Sequence, residues 1–144
     1  MLIRDVMQSR LDVVSPSETL ADAARKMRDD DIGSLPVVED ANLIGIITDR
    51  DIVVRCVADG ADPRSTTVRE AASGDVVHCR ADQSLEDASK IMASAKIRRL
   101  PVIDDDRRLV GIVALADLAR AGTSTATAEA LQEISEPTPH SRTI

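Results

Sequence analysis

The chain writes one long pattern twice. LADAARKMRDDDIGSLPVVEDANLIGIITDRDIV at 20–53 is repeated in outline by LEDASKIMASAKIRRLPVIDDDRRLVGIVALADLA at 85–119. Leu20 maps to Leu85 and Pro36 to Pro101, both displaced by 65. One extra residue in the DDDRR stretch then carries Gly45 to Gly111 and Asp51 to Asp117, displaced by 66. A repeat of this length present only twice points to two halves facing each other rather than to a solenoid.

Both copies read alike locally. Leu20, Ala23, Ala24 and Met27 fall at i, i+3, i+4 and i+7, and Leu85, Ala88, Ser89 and Met92 repeat that face, so an amphipathic helix is predicted in each copy. Ser17 and Asp82 stand three residues before the leucines and are expected to cap these helices. LPVVE and LPVID read as short strands with proline near the start, where a missing N–H does least harm. An acidic turn leads to LIGIIT and LVGIVA, the second arms of hairpins. Asp51 to Ala58 and Asp117 to Ala121 are read as closing helices, while LDVVSP and DVVHCRA supply a leading strand. Each unit is therefore strand, helix, strand, strand, helix. The fold class is α/β, with the linker at 58–66 between the halves.

Composition narrows what such a fold could do. Phe, Tyr and Trp are absent, so the core must be aliphatic, and no ring is available to stack on a base. A formal charge of -7 opposes binding to phosphate backbones, and no nucleic-acid partner is expected. No signal peptide or membrane-spanning helix is legible, and the two cysteines fit reduced thiols, so a cytoplasmic location is expected and no membrane partner. Cys79 aligns with Val14 and reads as a small buried hydrophobe, whereas Cys56 lies on a helix. His78 and His140 lack metal-ligand spacing with the cysteines, and the runs at 29–31 and 104–106 read as solvated turns. Met7, Met27 and Met92 read as core or interface filling. Residues 122–144 are rich in Ser, Thr and Pro and read as a mobile tail, in which Ala128, Leu131 and Ile134 could form a short helix docking on a partner.

The strand-to-helix junction Thr48-Asp49-Arg50-Asp51 carries polar chemistry that its counterpart, with Ala114 but still Asp117, has mostly lost. One reading is a capping box, in which the hydroxyl and the acid each take a free backbone N–H. The other is ligand binding. A Thr hydroxyl beside free N–H groups suits a phosphate, and a carboxylate can accept from two ribose hydroxyls. Keeping the acid without the hydroxyl tilts the balance towards the ribose reading. Arg98 and Arg99 stand where the first copy has Gly33 and Ser34, either restoring charge for a phosphate or forming a solvated basic pair.

The apolar residues before LPV, the turn, and then G-h-h-[ST]-x-x-D at a strand-to-helix junction resemble a CBS domain, over roughly residues 2–121. Two in tandem resemble a Bateman module, in particular small stand-alone bacterial CBS pairs of the hypoxic response protein type. The resemblance implies two β-α-β-β-α domains about a pseudo-twofold axis: residues 1–65 with the linker, 66–121, and then the tail. It also implies adenosine-type ligands (AMP, ADP, ATP or S-adenosylmethionine) in clefts between the halves, with no required cofactor. Carried over, Thr48 contacts phosphate and Asp51 ribose, flanked by Asp49 and Arg50. Ile32, Ser34, Leu35 and Pro36 line the base pocket with Val14, Ser15 and Pro16. Arg98, Arg99, Leu100, Pro101 and Asp117 form the second-copy counterpart.

The function this supports is a non-catalytic regulatory module that passes ligand occupancy to an effector protein. The alternative is a ligand-free interaction module with vestigial clefts. No Ser/His/Asp constellation, phosphate loop or metal signature favours an enzyme. A homodimer is expected, because the Ala- and Met-rich helix faces offer more packing surface than one pair covers.

Overall fold

The computed structural model describes residues 1–122 and Ile134. In chain order its elements are a single turn at Ile3–Asp5, α1 Leu20–Asp30, β1 Ser34–Glu39, β2 Asn42–Thr48, α2 Asp49–Ile52, which runs on as a π turn at Val53–Val57, and α3 Val68–Ala71. The second copy follows with β3 Cys79–Arg80, α4 Leu85–Ala95, β4 Arg99–Ile103, β5 Leu109–Ala114 and α5 Leu115–Arg120. The α/β class and the helix-strand-strand-helix order within each copy agree with the sequence reading. Among the described residues, no helix is long and apolar enough to cross a membrane.

The helices begin where a side chain can take a free backbone N–H. Thr19 accepts from Asp22 N at 3.2 Å, and Asp22 accepts from Thr19 N at 3.2 Å. Ser84 and Asp87 do the same at 3.1 and 3.3 Å. The expected caps were Ser17 and Asp82. Both lie too far upstream, since the residue flanking each helix is Thr19 or Ser84, and the Ser17 hydroxyl is engaged with that of Ser15 at 3.1 Å. The closing helices likewise start two residues earlier than expected, at Asp49 and Leu115, because Thr48 and Ala114 are their flanking residues. Of the predicted helix faces, Leu20, Ala23, Met27, Leu85, Ala88, Ser89 and Met92 are buried, whereas Ala24 is exposed.

β1 and β2 form an antiparallel hairpin in which Ser34 faces Thr48 and Val37 faces Gly45. The leading strand of the first copy is reduced to one parallel bridge, Val14 to Val37, tied by Val14 N to Pro36 O at 3.0 Å and Val38 N to Val14 O at 2.9 Å. In the second copy Cys79 and Arg80 pair in parallel with Val102 and Ile103, giving the order β3-β4-β5. Cys79 thus occupies the place of Val14, and burial pushes its thiol up to about 12. It is an inert core residue at neutral pH, as its alignment implied.

Two compact units emerge, and they do not follow the sequence segments 1–65 and 66–121. One comprises Arg10–Val76 with Asp105–Leu109. The other comprises Met1–Ser9, Val77–Asp104 and the described residues from Val110 on. The residues that lead into each copy pack with the other copy. Val68 N bonds to Glu18 O at 2.8 Å and Arg69 N to Pro16 O at 3.1 Å. In the other unit Ile3 N bonds to Gln83 O and Arg4 N to Ala81 O, both at 2.9 Å. Ser73 bridges Ile46 as Gln8 bridges Ile112. Val68 and Ala71 are therefore core residues beside Leu20, Leu35 and Ile47, and Ile3 lies in the core with Leu85, Leu100 and Leu118. Each such aliphatic side chain contributes about 1.5–3 kcal/mol on full burial. Ile134 is half-buried against this second core, so the one described residue of the expected tail helix docks on its own chain; Ala128, Leu131 and His140 lie outside the described residues.

The repeated glycine of the junction follows from this exchange. A Cβ at Gly45 would stand 2.9 Å from Ser73 O, and one at Gly111 would stand 2.6 Å from Met7 Sδ and 3.2 Å from Gln8 O. Gly45→Ala is expected to cost about 1–3 kcal/mol in urea denaturation, because a backbone carbonyl cannot step aside. Gly111→Ala should cost less, since the Met7 side chain can swing away; the reverse order would contradict this account.

Candidate functional site

In the first copy the hairpin register and the leading strand gather the candidate residues at one end of the sheet. Ser34 sits across from Thr48, Val14 is bonded to Pro36, and Asp49 N donates to Gly33 O at 2.9 Å. Ser15, Ile32, Ser34 and Thr48 are half-buried, while Val14, Pro16, Leu35 and Pro36 are buried. Val14 and Leu35 belong to the core cluster, so they place the neighbouring backbone. Asp49 lies over Gly33, where a Cβ would be 3.1 Å from its Oδ2. Its other oxygen accepts from Arg50 N at 2.8 Å, and Arg50 itself is exposed.

Thr48 and Asp51 form a complete capping box. Asp51 N donates to Thr48 Oγ1 at 3.1 Å, and Thr48 N donates to Asp51 Oδ2 at 2.9 Å. The hydroxyl keeps its own proton to donate. Asp51 Oδ1 has Arg55 Nε only at 3.9 Å, outside hydrogen-bond range, and the Arg55 guanidinium is tied by Nη1 to Ala71 O at 3.0 Å. Asp51 is thus a carboxylate with one oxygen committed to the helix start and one that accepts no hydrogen bond, its side chain 17% exposed. Capping and ligand binding do not compete here, because they use different lone pairs.

The second copy is built differently. Leu115 N donates to Arg98 O at 2.8 Å, matching the Asp49–Gly33 bond, but Leu115 is buried where Asp49 is exposed. Arg98 is exposed, Arg99 half-buried, and Leu100 and Pro101 buried. Ala114 has no hydroxyl to offer, yet Ala114 N still donates to Asp117 Oδ2 at 2.8 Å. That bond alone accounts for the retention of the acid, which the sequence comparison had weighed towards ribose. Asp117 Oδ1 receives Gln8 Nε2 at 3.4 Å and an Arg120 Nη2 hydrogen bond, and the carboxylate is only 5% exposed.

The leading segments were missed as contributors. Ile3-Arg4-Asp5 and Val68-Arg69-Glu70 repeat at the same displacement of 65, a signal lying outside the compared stretch. The segment that begins at Val68-Arg69-Glu70 helps form a separate hollow of about 250 Å³ beside Pro16, Val37, Ile44, Gly45, Arg69 and Ser73. Of the expected ligand residues only Pro16 touches it, and its cation is held by Glu39 at 2.7 Å. Among the described residues no three His, Cys, Asp or Glu side chains gather as a metal site.

A duplicated β-α-β-β-α unit, with a glycine, a hydroxyl or its replacement and an acid at each strand-to-helix junction, defines a class of paired modules. The sequence pattern of the CBS domain matches residues 3–57 and 64–124, and the chain belongs to that family. It is 46% identical over 117 residues to the CBS domain-containing protein YhcV of Bacillus subtilis, covering 81% of this chain and 82% of that protein. It is 42% identical over 118 residues to hypoxic response protein 1 of Mycobacterium tuberculosis, again covering 81% and 82%. A crystal structure of Hypoxic Response Protein I with two coordinated zinc ions superposes with a TM-score of 0.76 at 41% identity, covering 83% and 98%. CBSX2 of Arabidopsis thaliana, solved in complex with AMP, superposes with a TM-score of 0.73 at 28% identity, covering 83% and 94%.

The capping geometry makes its own forecast in the absence of any ligand. Thr48→Ala should lower stability by about 0.5–2 kcal/mol, and Ala114→Thr should raise it by returning an acceptor for Asp117 N. Urea denaturation of both variants checks this, and an unchanged midpoint for Thr48→Ala would remove the hydroxyl from the cap.

Proposed function

We propose that the chain is a non-catalytic regulatory CBS pair that takes an adenosine-type ligand at its first motif and passes occupancy to a partner protein. The observation that carries this reading is the Asp51 Oδ1 that accepts no hydrogen bond, beside the free proton of the Thr48 hydroxyl. A carboxylate oxygen accepts from a ribose hydroxyl, and a hydroxyl donates to a phosphate, without either giving up its place in the cap. AMP in the CBSX2 structure supports the ligand class. A ligand that signals must bind one state of the protein better than another. The alternative is an interaction module with vestigial sites, favoured by a capping box that is complete without any ligand.

Calorimetric titration with AMP, ADP, ATP and S-adenosylmethionine separates the two. Asp51→Ala should abolish most of the heat and most of the thermal stabilisation, which for wild type at one hundred times the dissociation constant is about 2.7 kcal/mol. Asp117→Ala should leave both nearly intact. Equal losses from the two aspartates would contradict a single working motif, and no heat with any of the four compounds would favour the vestigial module.

A homodimer belongs to the same proposal. Val53, Val54 and Val57 are 57%, 46% and 61% exposed along one helix, an apolar face that a second copy would cover. Light scattering should return twice the chain mass for wild type and the chain mass for Val57→Asp. A monomeric wild type at micromolar concentration would overturn the dimer.

A further inference from the structure

We propose that Arg120, together with Gln8, closes the second motif, so that Arg120 rather than the missing hydroxyl at Ala114 decides which of the two carboxylates can receive a nucleoside. The inference rests on the adenosine reading of the first motif, extends it to the second, and has a part that can be tested without any ligand.

The two junctions carry the same acid in opposite states. Asp117 has both oxygens occupied: Oδ2 by Ala114 N at 2.8 Å, and Oδ1 by Gln8 Nε2 at 3.4 Å and by the Arg120 guanidinium. Its side chain is 5% exposed, while that of Arg120 is 70% exposed and lies over it as a cover. α5 is a regular helix from Leu115 to Arg120, so the residue three positions after Asp117 is brought to the same face. At the corresponding place in the first copy stands Val54, which carries no donor, and Ser73 stands in place of Gln8. There the helix gives way to a π turn at Val53–Val57, and Arg55 gives its hydrogen bond to Ala71 O, leaving its Nε 3.9 Å from Asp51 Oδ1. Asp51 Oδ1 therefore faces a cation but accepts no hydrogen bond.

The consequence for binding follows from the chemistry of a vicinal diol. Its hydroxyls need a carboxylate oxygen as acceptor, and at Asp117 they would have to displace an arginine. The hydroxyl bond to the carboxylate is also charge-assisted, but it does not replace the charge of the guanidinium, so the displacement weakens binding by roughly tenfold. Restoring a hydroxyl at Ala114 does not remove that competitor, so Ala114→Thr should leave the second motif closed.

The test compares wild type with Arg120→Val, which installs the residue found at Val54, with Arg120→Gln, which keeps the length without the charge, and with Arg120→Lys, which keeps the charge. Because Arg120 is largely exposed, the substitutions leave the core intact. Carboxylates are first labelled without ligand, using a carbodiimide and glycinamide, and located by peptide mass spectrometry. Asp117 should be unlabelled in wild type and Arg120→Lys and labelled in Arg120→Val and Arg120→Gln. Titration with AMP should then give one ligand per chain for wild type, Arg120→Lys and Ala114→Thr. It should give two for Arg120→Val and Arg120→Gln, and Asp117→Ala in the Arg120→Val background should return this to one. Labelling of Asp117 in wild type, or its protection in all variants, would overturn the closure. Asp117 labelled in Arg120→Val with still only one AMP bound would overturn its control of binding. No AMP bound by any chain, with Asp117 labelled only in Arg120→Val and Arg120→Gln, would sink the nucleoside reading and leave the closure by Arg120 standing.

Discussion

An acid accepting the backbone N–H three residues before it recurs at six helix starts among the described residues. Asp5 takes Leu2 N at 2.8 Å, Asp22 takes Thr19 N at 3.2 Å and Asp51 takes Thr48 N at 2.9 Å. Glu70, Asp87 and Asp117 do the same for Thr67, Ser84 and Ala114 at 2.6, 3.3 and 2.8 Å. The six bonds form three matched pairs, one for each helical element of the duplicated unit. The hydroxyl that accompanies the acid in a full capping box is present at some of these starts and missing at Leu2 and Ala114, so the acid is the constant partner. The entry angle of every helix onto its sheet, and hence the position of each junction, depends on this bond.

The ligand binding proposed at the first junction would be a small addition to a structural device. Asp51 would be needed whether or not a ligand exists, and what distinguishes it is that one oxygen is left over. The neighbouring groups decide that. Arg55 is drawn aside by Ala71 O, the helix changes pitch at Val53, and Gly33 leaves room for the Asp49 carboxylate. At the second junction Leu115 is buried in place of Asp49, and Arg120 and Gln8 use the spare oxygen of Asp117. Duplication supplied two copies of one scaffold, and a few side chains around an unchanged acid made them unequal.

How much of this the sequence revealed depended on how far each signal extends. The long amphipathic faces and the alternating strands were legible because Leu20, Ala23 and Met27, with Leu85, Ala88 and Met92, repeat over several turns. Burial of Ser89 but not of its counterpart Ala24 was not legible, because periodicity marks a face without saying what covers its edges. The caps were misplaced by two residues, since Ser17 and Thr19 are both good caps by residue type, and what separates them is that Thr19 accepts from Asp22 N while the Ser17 hydroxyl meets that of Ser15. The leading segments escaped notice because a turn at Ile3–Asp5 and a helix at Val68–Ala71 are too short to show a period. Asp51 was singled out as a candidate from its motif. The difference between it and Asp117 lies in Arg120 and Gln8, and the latter is 109 positions away in the chain.

The exchange of leading segments sets an order of events during synthesis. Residues 10–76 contain nearly all of the first unit, including its borrowed α3, so that unit can consolidate soon after Val76 leaves the ribosome. Residues 1–9 emerge earlier still but find their seat only after β5, where Ile112 receives Gln8, has been made. At ordinary elongation rates that delay is on the order of ten seconds. Ile3 therefore waits longer for its partners than the residues of the first unit do, a nascent-chain exposure that follows from the way the repeats are threaded.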